Sequence, residues 1–331
     1  MSIHNFIHDL KVDKSWSHRN LTVYPLVRAN ASKFDYLTLD EAMASGHFRI
    51  GEVSASGSVP ELKALNGLSQ PVLLLDGEEL VGAKQNRVLN LTIMVPAHAE
   101  IAIPVSCVEA GRWQQQSDRF MAADRTQFAR GRAKKLAQVS SSLRHSGGRS
   151  SDQTDIWNEI AAKSERMAVA SPTAAMSALY DHSRARLDDF VGAMPHNERQ
   201  VGAMFCIGGD IVGIDAFDCA DTFAKAAPKL IRSYAIDAME SPTTAVPENL
   251  GVEAVRSFLV SITAAEATRF KALGLGDDVR LKGPHLAGAA LEISGQVVHL
   301  VSFPSRVYAG DQEGQARTAG MARASRRRTF H

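Results

Sequence analysis

Hydrophobic residues follow two spacings along this chain, and the N-terminal third mostly follows the spacing of strands. A short helix is predicted at the start, where Ile3, Phe6, Ile7 and Leu10 repeat at the helical period. Short apolar or alternating runs separated by turn residues then predict strands. These runs are Leu21–Val27, Ile50–Ser54, Val72–Leu75, Leu80–Met94 and Ile101–Val108.

The helical spacing dominates the middle of the chain. Residues 117–200 predict helices, including one with Ile156 and Ile160 on the same face and one that begins at Ser171–Pro172. The segment Val139–Gln153 between them is rich in serine and glycine and predicts a loop.

Strands return after residue 200. One hairpin is predicted around Gly208–Gly209 and another around Ser294–Gly295, with two helices between them. The two hairpins resemble each other, and both resemble the run 72–84. This likeness is compatible with an internal duplication or simply with the usual pattern of buried hairpins.

Together these elements predict an α+β protein. Its mixed or antiparallel β core is built from the N- and C-terminal thirds, with a helical segment inserted between them. We expect one domain over residues 1–310, β-rich in 20–113, helical in 117–200 and α/β in 201–305. Residues 311–331 carry five arginines and two acidic residues, and they predict a disordered basic tail.

The segment 78–90 carries the most polar residues of any predicted strand. Because side chains alternate along a strand, Lys84, Asn86 and Asn90 should share one face, with Gln85 and Arg87 on the other. A strand that is polar on both faces is poorly suited to a core, so this segment predicts a functional site.

Lys84 is the strongest candidate for chemistry, because a lysine inside an apolar strand must be paired, extended to solvent or functional. Burial would make it a base or nucleophile, and a nearby carboxylate would keep it charged as an anion clamp. The alternative is a structural ion pair with Asp215. Glu79, Glu109 and Asp215 are the candidate acids and bases.

Other residues in the same region suit ligand binding. Arg87 and Arg112 can each hold a phosphate or carboxylate with two hydrogen bonds. Gln85, Asn86 and Asn90 can orient sugar hydroxyls or an amide. Trp113 can stack on a ring, although a core or lid position is the simpler interpretation of a tryptophan.

Composition excludes several classes of protein. At 331 residues, 45% hydrophobic and 22% charged, the chain is typical of globular proteins. Its three cysteines lack the spacing of a disulfide framework or zinc site, and no apolar run is long enough for a membrane helix. We therefore expect a cytoplasmic protein without membrane association.

Motif searches narrow the chemistry further. The chain has no Gly-x-Gly-x-x-Gly, no Walker loop and no Gly-x-Ser-x-Gly, and its histidines lack metal spacing, so we predict no metal site and name no cofactor. Basic residues in 117–150 would suit phosphate contacts, but a solvated helix face is the more usual role, so nucleic-acid binding is not expected. These residues are Arg119, Arg125, Arg130, Arg132, Lys134, Lys135, Arg144 and Arg149.

Several segments resemble one known family. They are Leu75–Arg87 with Asn90, Ile103–Trp113, Gly213–Phe217, Lys229–Tyr234, Gly288–Leu291 and Val298–His299. They are similar to the ARG- and rhodanese-phosphatase-associated protein domain, where ARG denotes ADP-ribosylglycohydrolase, and the similarity covers roughly residues 20–305.

The resemblance implies a ligand class more than an activity. It suggests an enzyme that acts on ADP-ribose, NAD-derived or other nucleotide-like small molecules, with protein partners from ADP-ribose metabolism. The alternatives are a non-enzymatic module that senses such ligands or binds proteins and, less favoured, an RNA-binding protein.

Overall fold

In the computed structural model, the described residues are 3–29, 34–54, 58–115, 117, 119–195, 197–241 and 250–308. The helices are α1 (Ile3–Asp9), α2 (Leu39–Ala44), α3 (Ala129–Ser146), α4 (Gln153–Arg166), α5 (Ser177–Gly192), α6 (Ala220–Glu240) and α7 (Val252–Thr263). The strands are β1 (Lys11–Val12), β2 (Trp16–His18), β3 (Leu21–Val27), β4 (Leu37–Thr38), β5 (Phe48–Glu52), β6 (Glu61–Asn66), β7 (Val72–Leu74), β8 (Glu78–Gly82), β9 (Arg87–Leu89), β10 (Ile93–Val95), β11 (Glu100–Cys107), β12 (Phe120–Thr126), β13 (Gln200–Ile207), β14 (Asp210–Phe217), β15 (Glu266–Lys271), β16 (Asp277–Lys282), β17 (Leu286–Ile293) and β18 (Gln296–Pro304).

The two ends of the chain meet in one large antiparallel sheet. Its strand order is β1-β3-β13-β14-β18-β17-β16-β15, with β2 paired to β3. The predicted α+β class is therefore confirmed, with a β core that joins the N- and C-terminal thirds and helices α3 to α5 inserted between them.

Two smaller sheets come from the β-rich segment near the N-terminus. One has the order β12-β8-β9-β11-β6-β5, and the other has the order β10-β7-β4, in which β4 and β7 are parallel. Their shared apolar interior includes Leu39, Phe48, Leu74 and Ile103.

Successive side chains along the strands of the large sheet point to opposite faces, and both faces are buried. In β13, Met204 packs toward α1 and α7, with Phe6 and Val255. The next residue, Phe205, points to the opposite face, where Tyr234 of α6 stacks on it at a centroid distance of 3.8 Å. This second face also packs against α3 and the smaller sheets, and it carries the charged residues described below.

The predicted strand 78–90 is wrong, because the chain reverses within it. Gly82 and Ala83 have φ angles of 126° and 44°, so β8 ends there and β9 returns beside it. Moreover, β7 pairs with β10 and not with β8, so 72–84 is not a hairpin and its likeness to the two true hairpins has no structural basis.

Three other predicted elements need correction. Residues 139–146 continue α3, whose buried Val139 and Leu143 outweigh its serine content, and the helix ends at Gly147 with φ 70°. Phe120–Thr126 is a strand within the predicted helical segment, and α5 begins at Ser177, after Ser171–Pro172.

The predicted single domain over residues 1–310 stays a prediction, and the predicted tail 311–331 lies outside the described residues. Within the described ranges, no helix has both the length and the apolar character needed to cross a membrane.

Candidate functional site

Asp215 and His299 lie next to each other on the inner face of the large sheet. Their strands β14 and β18 are antiparallel neighbours, with Asp215 opposite Val301 and Phe217 opposite His299. The two side chains are therefore diagonal neighbours on one face. The Nε2 atom of His299 lies 3.3 Å from Oδ1 of Asp215, and both residues are almost completely buried.

Two helices supply the remaining partners of Asp215. Arg132 of α3 donates two hydrogen bonds to its carboxylate, at 2.7 and 3.1 Å, and the Tyr234 hydroxyl of α6 donates a third at 2.9 Å. Burial alone would raise the pKa of Asp215, but the charge of Arg132 and the hydrogen bond with His299 hold it well below its ordinary value. Asp215 is thus a buried carboxylate that stays ionised.

The ionised state of Asp215 fixes the tautomer of His299. A carboxylate only accepts hydrogen bonds, so Nε2 of the imidazole carries the hydrogen. In the neutral ring Nδ1 is then an acceptor, and it lies 2.9 Å from Oγ1 of Thr92, whose hydroxyl donates to it. Thr92, His299 and Asp215 form a hydrogen-bonded series in the order hydroxyl, imidazole, carboxylate.

Asp76 joins this series to a second buried cation. Its backbone N–H donates to Thr92 Oγ1 at 3.1 Å, and its carboxylate pairs with Lys135 at 2.9 Å and Arg132 at 3.4 Å. Lys135 also donates to the carbonyl of Leu89 at 2.6 Å. Burial lowers the pKa of Lys135, and Asp76 opposes that effect.

The turn after β7 brings Asp76 into this position. Gly77 has a φ of 83°, and a Cβ atom there would lie 2.9 Å from Cγ and Cδ of Arg132. The backbone N–H of Gly77 donates to the carbonyl of Leu89, and its own carbonyl accepts from Gln127. A glycine is therefore needed both for the turn and for the close approach of Arg132.

A small cavity borders this network, between the smaller sheets, α3 and strands β16 to β18. About 10 Å³ is open to the centre of a water molecule, which is room for about one water. The polar residues in its wall are Asp76, Asn90, Thr92, Asp278, Arg280 and His299. Thr92 is the partly exposed member of the hydrogen-bonded series, whereas His299 and Asp215 are buried.

Arg280 and Asp278 pair with each other at the cavity wall, at 2.7 Å. Arg149 is close enough for both of them to influence its pKa, which burial lowers. The Asn90 side chain donates to the carbonyl of Arg149 at 3.1 Å and accepts a hydrogen bond from Ser106 at 2.5 Å. The cavity wall therefore holds Arg280 together with its partner Asp278, and the side chain of Arg149 lies near both of them.

A second polar cluster surrounds the turn between β8 and β9. Gln85 donates to the carbonyl of Glu109, while its Oε1 accepts from Arg87 at 3.0 Å and from the Cys107 thiol at 3.1 Å. Burial raises the pKa of Cys107, as expected for an unreactive thiol. Lys84 lies at the edge of this cluster, partly buried.

Glu109 and Arg112 close the same cluster from the other side. The two side chains pair at 2.6 Å, and Glu109 also accepts from Thr173 and from the backbone of Asn86. Burial alone would raise the pKa of Glu109, but these hydrogen bonds hold it below its ordinary value. Arg112 further donates to the side chain of Asn86 and the carbonyl of Ala83.

The structure therefore divides the residues predicted from sequence. Asp215 and Asn90 lie in the network beside the cavity, whereas the second cluster holds most of the others: Lys84, Gln85, Asn86, Arg87, Glu109, Arg112 and Trp113. Glu79 lies apart, paired with Arg125 in the interior. The alternative of a structural ion pair between Lys84 and Asp215 is wrong, because Arg132 supplies the cation that Asp215 needs.

Sequence reasoning missed Thr92, Lys135, Arg132, Tyr234 and His299 as site residues. A signal was present for the two cations of α3, because they fall within its apolar stripe Ala129, Ala133, Leu136 and Val139. Charged residues inside such a stripe require buried partners. Apart from its place in the family resemblance, His299 was considered only as a metal ligand; within the described ranges, no three potential ligands group closely enough to hold a metal ion.

Comparison with known proteins gives one match. The profile of the ARG and Rhodanese-Phosphatase-superfamily-associated Protein domain matches residues 9–303. Neither the curated proteins nor the solved structures gave a match. The matched range includes both polar clusters and every strand of the three sheets except part of β18.

Proposed function

The chain belongs to the ARG and Rhodanese-Phosphatase-superfamily-associated Protein domain family, and from this premise we propose that it is a hydrolase of ADP-ribose, NAD-derived or other nucleotide-like small molecules. The observation that carries the proposal is the hydrogen-bonded series of Thr92, His299 and Asp215 beside the cavity. A hydroxyl, a base and an orienting carboxylate in this order form the arrangement used in nucleophilic catalysis. The association with ADP-ribosylglycohydrolase in the family name supports the ligand class.

In the proposed reaction, Oγ1 of Thr92 bonds to the electrophilic carbon or phosphorus of the substrate, and its proton moves to Nδ1 of His299. The imidazolium then protonates the leaving oxygen as the bond to that oxygen breaks. Water hydrolyses the intermediate by the same path and restores the Thr92 hydroxyl. Asp215 stabilises the positive charge on His299, and Arg132 and Tyr234 hold the carboxylate in place.

The charges at the cavity support an anionic substrate. Arg280 lines the cavity beside its partner Asp278, Arg149 lies near both of them, and guanidinium groups suit phosphate oxygens. Because the cavity itself has room for only about one water, the reacting group of the substrate would reach Thr92 from the partly exposed side of this residue.

A second candidate is a non-enzymatic binding module, whose partners would be ADP-ribose-related ligands or proteins of their metabolism. The observation that favours it is that Arg132, Lys135 and Arg280 already have carboxylate partners. RNA binding is not proposed, because basic residues of 117–150 such as Arg125, Arg132 and Lys135 pair with acids in the interior. We also propose a cytoplasmic location, which is in line with the three cysteines, because all three are free thiols.

The test is turnover by the purified protein of ADP-ribose, NAD, ADP and ribose 5-phosphate, followed by chromatography of the products. Thr92→Val and His299→Gln should lower the rate at least a thousandfold, as for other members of nucleophilic triads. Thr263→Val and His285→Gln, which lie away from the cavity, serve as matched controls and should stay within twofold. Binding without turnover would favour the module, and neither binding nor turnover would overturn both.

A further inference from the structure

Arg87, in the second cluster, has two buried N–H groups without a hydrogen-bond partner among the described residues. The side chain is completely buried, and Nη1 donates to Gln85 at 3.0 Å. Among the described residues, Nε and Nη2 have no hydrogen-bond partner. These two N–H groups lie side by side on one edge of the guanidinium, so they form a fork that holds two adjacent acceptors at once.

An exposed aromatic ring covers this arginine. The indole ring of Trp113 lies over the guanidinium of Arg87, with 5.6 Å from ring centroid to Cζ, and it is 50% exposed. The ammonium of Lys84 lies 5.5 Å from the same centroid. A half-exposed tryptophan beside two cations is a surface on which another flat ring can stack.

A buried acid contributes to the same environment. Both carboxylate oxygens of Glu52 are buried and accept no hydrogen bond from any described residue. Burial lowers the pKa of Arg87, whereas the charge of Glu52 opposes this effect. Among the ion pairs of the described residues there is none between Glu52 and Arg87. A ligand that suits this environment needs acceptors for Arg87 and tolerates the negative charge of Glu52.

We propose that Arg87, Trp113 and Glu52 form a binding site for a nucleobase that presents two adjacent acceptors on one edge, as guanine does with O6 and N7. The fork of Arg87 accepts that edge, as arginine does when it binds guanine. The base stacks on the indole of Trp113, and its amino group is a donor suited to Glu52. Adenine offers an amino group in place of O6, so it fits the fork less well.

A neutral base is favoured over a free anion at this position. A phosphate placed beside Arg87 would lose its water and meet the negative charge of Glu52, whereas a base brings donors as well as acceptors. Lys84, at the edge of the indole, supplies positive charge for the phosphate of an attached nucleotide. The site therefore selects a nucleotide by its base and holds its phosphate at the surface.

In this proposal the base enters as the indole of Trp113 moves away from the guanidinium of Arg87. The backbone around Trp113 is held in place, because Arg112 donates to the carbonyls of Ala83 and Gln114 and pairs with Glu109. Rotation of the half-exposed Trp113 side chain would then open the side of Arg87 that the indole covers, while the turn stays fixed. This inference concerns binding at the second cluster and does not depend on catalysis by His299.

The test is calorimetric binding of GMP, AMP and ribose 5-phosphate, together with the tryptophan fluorescence of the same samples. GMP should bind at least tenfold more tightly than AMP and should quench the fluorescence, whereas ribose 5-phosphate should bind weakly because it has no base. Trp113→Ala should weaken GMP binding roughly tenfold, in line with the contribution of one stacked base. Trp113→Phe keeps a ring, so it should retain the affinity while it removes the quenching.

Arg87→Lys keeps the charge but not the fork, and it should abolish the preference for GMP over AMP. Because Arg87 is buried, circular dichroism checks that the Arg87→Lys variant is folded. If that variant unfolds, Trp113→Ala still decides the test, because it alters a half-exposed residue. Equal binding of GMP and ribose 5-phosphate, unchanged affinity in Trp113→Ala, or absence of GMP binding would each overturn the proposal. His299→Gln should bind GMP as the unmodified protein does, which separates this site from the proposed hydrolysis.

Discussion

Arg132 donates two parallel hydrogen bonds to Asp215 in a place where neither side chain has any exposed surface. The pair links α3 to the centre of the large sheet across 83 residues of sequence. Its energetic role follows from burial, because a charge that loses its partner in the interior keeps its full desolvation cost.

Removal of the charge at Asp215 should strongly destabilise the fold. Asp215→Asn leaves Arg132 with only the longer contact to Asp76, and we expect a loss of about 3–5 kcal/mol in the free energy of unfolding. Asp210→Asn is the matched control, since Asp210 pairs with Arg306 at the surface, and it should cost at most about 1 kcal/mol. Urea unfolding of both variants measures the difference; similar losses would contradict this account.

The same carboxylate should contribute to acid sensitivity. The pKa of Asp215 is depressed in the folded protein, so the unfolded chain takes up the proton first, at about pH 3.9. The stabilisation is therefore complete above that pH and is lost as the pH falls toward the lower folded value. The stability difference between the unmodified protein and Asp215→Asn should be large at pH 7 and narrow below about pH 4. A difference that stays constant with pH would argue against an ionised Asp215.

Alanine substitutions at Gly77 and Gly46 distinguish the cost of backbone strain from the cost of crowding Arg132. Both have positive φ, 83° and 75°, so alanine costs about 1–2 kcal/mol at either position. A Cβ at Gly46 meets nothing within 4 Å, whereas one at Gly77 meets Arg132. We expect Gly77→Ala to lose about 1 kcal/mol or more beyond Gly46→Ala in thermal or urea unfolding. Equal losses would mean that Arg132 moves aside at no cost.

Replacement of Lys229 and of Lys84 compares the stability that each lysine contributes to the fold. Lys229 is buried between Glu78 and Asp40, at 2.8 and 2.7 Å, and burial alone would lower its pKa while these acids raise it. Lys229→Met should therefore cost about 3 kcal/mol, because Glu78 keeps its burial without a cation. Lys84→Ala should cost about 1 kcal/mol or less, since Lys84 lies beside Trp113 at the edge of the second cluster. The opposite ranking in chemical denaturation would restore Lys84 as a structural ion pair.

Local patterns in the sequence determined several parts of the fold. Apolar spacing alone predicted α1, because one face of a helix must be buried whatever it packs against, and the two helices expected between the later hairpins are α6 and α7. Glycine pairs placed the turn between β13 and β14 for a similar reason, since few residues adopt positive φ. The resemblance to the family was also visible in the sequence segments themselves, and the match over residues 9–303 confirms it.

The tertiary structure alone decided which polar residues form a site. Thr92, Arg132, Asp215, Tyr234 and His299 come from five separate elements or loops, and no local spacing relates them. The predicted faces of the polar segment 78–90 were wrong. Gly82 and Ala83 have positive φ angles, so this segment forms a hairpin and not one strand. The sequence shows that buried charges need partners, but partner choice depends on which strands pair and which helix covers them, and long-range packing fixes both.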